Sequence, residues 1–342
     1  MFAVYSKSGR AYLEAGDAHG IMEGDEFMVR RLSQQSSILT AIESPVAARA
    51  INVQPLVSQL DFEQANTTED YVDWLATPKS RQALHRFPVR LSQSIPDVEQ
   101  WKSHFDQHSL AMIPPQVNSQ LAFEVTLEDS CYRILSDSKV EITNLPKMEE
   151  SHFGPKDIPA VLQHLARFES IRQLSNPQCS SDFQVSFEVF ITSPEGDSIS
   201  PATEIEIQDV KSTKPFKINV SNKSDKHLFV HVYNLDPLWQ VENILHADFE
   251  DLPPSSASER FTGRFTKKFK TSVPDQIKAA GLTSCTDILA VIVTSQPTSF
   301  RNYELPQIGG ILQPSSPGRS GRHGGESLGE WAVYHFVVRT SC

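Results

Sequence analysis

Cysteine is scarce in this 342-residue chain: Cys131, Cys179, Cys285 and Cys342 are scattered. No pair has the close spacing of a zinc knuckle or a dense disulfide framework, so reduced thiols and no metal site are expected. Long apolar runs are missing too. No window approaches the roughly 18 apolar residues of a membrane span, and the first ten residues, MFAVYSKSGR, lack the apolar core of a secretory signal. These absences predict a cytoplasmic protein without a membrane partner. Basic charge is in deficit, with 31 Lys and Arg against 42 Asp and Glu, a net charge of -11. A global negative field repels phosphates, which argues against nucleic acid as the partner. Gly16, Gly20 and Gly24 punctuate one loop, but no Gly-Lys-Ser/Thr follows, so no phosphate-binding loop and no cofactor is expected.

What the chain does have is β patterning. Phe216, Ile218 and Val220 alternate with polar residues, residues 221–225 are turn formers, and Leu228 to Tyr233 is a second β-rich run, which predicts a hairpin. Asp236-Pro237 then breaks the strand, and the apolar run from Trp239 to Leu245 predicts a third strand beside it.

The remaining segments predict a mainly β protein with a few helices, of the α+β class, with a small N-terminal β-barrel-like unit and a β-sandwich domain. Residues 1–55 form the barrel-like unit, with a tight turn at Ser8-Gly9 and a strand from Glu26 to Leu32. Residues 56–178 are a mixed segment. Helical spacing covers Asn66 to Ala76 and Val98 to Ser109, short strands run from Leu121 to Ile142, and the best helix spans 159–174 with Asp157 near its N-cap. Residues 179–342 form the sandwich, with strands expected at Phe183 to Thr192, Asp287 to Thr294 and Trp331 to Arg339. A Gly, Ser, Pro and Arg-rich stretch near 313–329 is expected to be a disordered loop.

Two local patterns suggest sites and have simpler explanations. His104 and His108 lie four apart, as two imidazoles on one helix face would, but no third ligand follows and surface histidines explain them. Arg260, Arg264, Lys267, Lys268 and Lys270 interleave with Phe261, Phe265 and Phe269, which favours a solvated basic face over a packed Phe row.

Three stretches carry a likeness to a known family: Ala15 to Ile21 with Glu23 to Phe27, Phe216 to Trp239, and Thr294 to Phe300. In these the chain resembles the noncatalytic C-terminal β-rich region of fungal caspase-like proteins, which carry a peptidase C14 domain. The resemblance implies that the protease residues belong to an upstream domain, expected to be missing here. None of the four cysteines stands in a Gln-Ala-Cys-x-Gly context, and no caspase Cys/His dyad is recognisable, so the expectation leans away from an enzyme.

The function this suggests is a noncatalytic protein-interaction or regulatory module whose partner is a protein, such as a separately encoded caspase-like protease. Tyr233, Asp236 and Trp239 are the candidate contact residues, although a core position explains Trp239 better than contact does. One alternative is a small-molecule-binding or cryptic enzymatic β-sandwich using His227, His231, Asp236 and His335. The other is the truncated half of a split caspase-like protease.

Overall fold

The computed structural model describes residues 1–35, 38–41, 44–63, 74–114, 122–201, 204–208, 215–245, 247–255, 263–308 and 329–342. The chain divides into a unit centred on Met1–Ser170 and another running through Ile171–Gln307 and including the C-terminal strand.

In the first unit, Ser8 and Gly9 both take positive φ, 53° and 72°, the backbone a two-residue hairpin turn requires. They join β1 (Phe2–Lys7) to β2 (Arg10–Leu13). With β3 (Glu26–Gln35), β5 (Val46–Val53), β6 (Ser58–Phe62) and β7 (Trp74–Pro78), these close a six-stranded barrel in the order β3-β5-β6-β2-β1-β7, with β7 returning to β3. Strand β4 (Ile38–Ala41) flanks β3. The barrel takes β6 and β7 from beyond residue 55, and its interior is filled by Leu13, Phe27, Val29, Ala50 and Ala76. Much of the helix expected over 66–76 lies outside the described residues; its end, from Trp74, is strand β7 instead, where Trp74 and Ala76 face the barrel core.

The glycine-punctuated loop serves as a barrel clasp. A Cβ on Gly16 would stand 2.0 Å from the Gln54 carbonyl oxygen, so only glycine fits there. The Gly16 N–H donates to His19 Nδ1 at 3.1 Å, and the buried Asp25 carboxylate accepts from the Met22 and Gln82 N–H groups at 3.0 and 2.7 Å.

The same unit carries a smaller sheet in the order β12-β11-β10-β8-β9, made of β8 (Val89–Leu91), β9 (Met112–Ile113), β10 (Phe123–Glu128), β11 (Cys131–Ser136) and β12 (Met148–Glu149). Helix α1 (Val98–Gln107) lays Trp101 against Tyr132 of this sheet, ring centroids 5.7 Å apart. His108, just past α1, is held by Gln163, Nδ1 to Oε1 at 3.1 Å, and Gln163 Nε2 donates to the His108 carbonyl at 2.9 Å. Helix α2 (Ile158–Arg172) lies where the sequence placed its best helix, with Leu162, Leu165, Phe168 and Ile171 buried on one apolar stripe.

The second unit opens with a short helix, α3 (Ser181–Val185), where a strand was expected from Phe183; Ser180 caps it by accepting from the Phe183 N–H, and the strand starts only at Phe187. A four-stranded sheet, order β14-β13-β16-β20, comprises β13 (Phe187–Thr192), β14 (Ser198–Ile199), β16 (Phe216–Asn222) and β20 (Arg264–Phe269). Facing it is the sheet β15-β22-β21-β17-β18, from β15 (Glu204–Gln208), β17 (Leu228–Leu235), β18 (Val241–Asn243), β21 (Ser284–Thr294) and β22 (Trp331–Ser341), with β19 (Glu250–Leu252) also on β17. Alternate residues of both sheets meet in one core, including Val189, Ile218 and Val220 from one and Val230, Val291 and Phe336 from the other. Full burial of each such side chain is worth about 1.5–3 kcal/mol against exposure. Helix α4 (Asp275–Ala279) brings Ile277 against Val273, Cys285 and Leu238.

The hairpin expected between Phe216 and Tyr233 is corrected: β16 and β17 are consecutive but lie in opposite sheets. The reason is β17 itself. A hairpin strand with one wet face would expose every second residue, yet Leu228, Val230 and Val232 face the sandwich core while His231, Tyr233 and Leu235 on the other face are buried as well. Asn222 steers the crossing, its Nδ2 donating to the Lys226 carbonyl at 2.7 Å and the Leu252 carbonyl at 2.9 Å. The choice between a basic face and a packed Phe row is also revised, because β20 is an edge strand that supplies both. Phe265 and Phe269 pack on the core while Arg264 and Lys268 are exposed, and Lys267 on the inward face discourages further strand pairing. Arg260 and Phe261 lie outside the described residues, as does nearly all of the loop near 313–329.

Candidate functional site

The outer face of β17 carries polar chemistry that the core-facing side does not. His231 and Tyr233, two residues apart in a strand, point the same way, and both are 0% exposed. Three aromatic rings cover them. Phe300 meets His231 edge-on with centroids 4.7 Å apart, Tyr303 meets Tyr233 at 6.2 Å, and Phe300 stacks on Tyr303 at 5.4 Å. Phe249 closes the other side of His231 at 5.9 Å.

Two connections supply this roof. Phe300 and Tyr303 belong to the segment after β21, and Phe249 precedes β19. They are tied together by an ion pair, Arg301 Nε to Asp248 Oδ1 at 2.6 Å, and the segment after β21 is anchored to β18 by reciprocal Val241–Leu305 backbone bonds at 3.0 Å.

Hydrogen bonding fixes the tautomer of His231. Its Nδ1 lies 2.9 Å from the Asp248 carbonyl oxygen, an acceptor only, so Nδ1 carries the proton and Nε2 presents a lone pair. That Nε2 is buried without a hydrogen-bond partner, and so is the hydroxyl of Tyr233. Burial pushes the His231 imidazole down to about 4. It pushes the Tyr233 hydroxyl well above its usual range, reinforced by the negative charges of Glu304 and Asp248. At neutral pH the site therefore holds a neutral acceptor beside a neutral donor.

Tyr233, expected at a contact surface, is thus fully enclosed. Asp236 lies in the β17–β18 turn, where its Oδ1 accepts from the Leu238 and Gln240 N–H groups, both at 2.9 Å, and burial raises its carboxyl. Trp239 sits in the same turn, half-buried, with φ of 67°. Of the four groups proposed for a cavity, only His231 joins Tyr233. His227 is exposed and pairs with Asp251, Nδ1 to Oδ1 at 2.7 Å. His335 lies across Ala290 from Tyr233, about 10 Å away at two strand spacings, and its Nε2 contacts the Ile171 carbonyl at 3.3 Å. No group of three or more metal-ligating side chains occurs among the described residues.

Sequence reading missed the roof, because Asp248 and Arg301 are 53 residues apart and no spacing rule links them. Phe300 and His231 stand in two of the three stretches singled out in the sequence, and those two stretches meet on this face.

Comparison with known proteins finds no family model that matches the chain and no curated protein that does.

Proposed function

We propose that the chain is a noncatalytic protein-interaction or regulatory module, similar to the accessory region of fungal caspase-like proteins, and that its partner is a caspase-like peptidase. The observation that carries this reading is Trp239. A bulky residue with left-handed backbone is strained by about 1–3 kcal/mol, and such strain persists where surrounding structure enforces it. Here the Asp236 carboxylate enforces it by binding the amides on both sides, Leu238 and Gln240. An indole held this way at the end of the sandwich is pre-organised, which lowers the entropy cost of contact. In the same reading the protein acts in the cytoplasm.

The test is titration of the caspase-like peptidase domain from the same genome against the full chain by calorimetry, with Trp239→Ala alongside and urea unfolding of both. Micromolar or tighter binding that the variant loses while its unfolding midpoint holds supports the proposal. A wild-type chain that neither binds nor alters the peptidase overturns it, and so does a variant that binds unchanged.

A further inference from the structure

We propose that His231 and Tyr233 form a closed site for a single hydroxyl group, which donates to His231 Nε2 and accepts from Tyr233 Oη. The inference is independent of the peptidase partner, since it rests on the interior of the sandwich unit. Buried polar atoms in folded proteins nearly always have partners. An orphan costs about 1–3 kcal/mol, and this strand carries two within three residues, both on one face.

Their chemistry is complementary. The Asp248 carbonyl claims the Nδ1 proton, which leaves Nε2 able only to accept, while the phenol proton of Tyr233 has no acceptor. The two side chains leave the strand about 7 Å apart, at twice the rise per residue. A hydroxyl making bonds of about 2.8 Å on each side spans up to about 5.6 Å, the same scale as that separation. No carboxylate or ammonium is required, because neither ring is charged at neutral pH. The roof of Phe249, Phe300 and Tyr303 restricts the guest to something small: a water molecule or the alcohol of a compact ligand. Arg301 and Asp248 tie the two roof segments together through their 2.6 Å ion pair.

The experiment uses the full chain, wild type and Tyr233→Phe. If the hydroxyl group is present, deleting Oη strips it of a donor and the melting temperature falls by several degrees. If Oη is a bare orphan, removing it leaves the melting temperature unchanged or raises it, which overturns the proposal. Nitrogen-15 NMR of the His231 ring gives a second readout. A shift showing that Nε2 accepts a hydrogen bond in the wild type, and moves in the variant, supports the site, and an Nε2 shift typical of a free lone pair overturns it. Native mass spectrometry separates the two sources, since a retained alcohol adds more mass than a retained water molecule.

Discussion

His231→Phe offers the sharpest test of the electrostatics of the β17 face. The phenylalanine ring keeps the aromatic packing against Phe249 and Phe300 but removes the titratable group. At pH 7 the variant leaves the Asp248 carbonyl without its donor, a cost of about 1 kcal/mol, so wild type is the more stable. The histidine titrates at about 4 in the fold against 6.5 when unfolded. Between those values the unfolded chain binds the extra proton, so wild-type stability rises with pH and is lost as pH falls. The linkage integral gives a loss of about 2 kcal/mol at pH 5 and about 3 kcal/mol at pH 4, none of which the variant suffers. The stability order therefore reverses, with the variant more stable by about 2 kcal/mol at pH 4. Other titrating groups, including Glu14 and Asp287, are shared by both proteins and cancel in the difference. Urea series at pH 7, 5 and 4, read by hydrogen exchange of peptides from β17 and β21, isolate the sandwich unit. A wild-type minus variant difference that stays constant with pH would refute the reasoning, because it would mean the imidazole is solvated in the fold.

Asp287 lies near the end of the same sheet, where burial, followed by the charge of Asp236, raises its carboxyl to about 6. Here the fold holds the proton more tightly, so stability falls as pH rises from about 4 through 6. Asp287→Asn should then stabilise by about 3 kcal/mol at pH 7 and by under about 1 kcal/mol at pH 4 in urea unfolding. Gly16→Ala should cost the barrel about 3 kcal/mol or more, since its Cβ meets backbone atoms of Gln54, Leu56 and Val57 within 3 Å; a melting temperature within 2 °C of wild type would contradict this. Asn222→Ala should cost about 2–4 kcal/mol by leaving the Lys226 and Leu252 carbonyls without that donor, and denaturant unfolding measures it.

Local chemistry was the most legible part of the sequence. Ser8-Gly9 announced its turn, the Leu162–Leu165–Phe168 spacing announced α2, and the β-rich class with a barrel and a sandwich followed from short alternating strands. Pairing was less legible. The barrel closes by joining β3 to β7, with Val29 opposite Ala76, and nothing in either segment names the other. The same limit explains the misplaced hairpin, since a turn-forming stretch signals that the chain reverses but not whether the second strand returns to the same sheet.

The candidate site shows why a buried polar pair escapes sequence reading. Histidine and tyrosine at positions 231 and 233 fit the alternation of a strand with one wet face, so their letters argued for exposure. What buries them is a roof drawn from residues 249 and 300–303, held by the Asp248–Arg301 ion pair. A usable clue was nonetheless present: Phe229, Val230 and Val232 surround His231 with apolar residues on both parities, and a strand apolar on both parities is covered on both faces. Once β17 is accepted as two-sided, a histidine in its middle must be neutral and its ring nitrogens must find partners inside the protein. The Asp248 carbonyl meets one of those demands, and the other leaves Nε2 a buried acceptor on the same face as the equally unpartnered Tyr233 hydroxyl, so the site's chemistry follows from the strand's double burial.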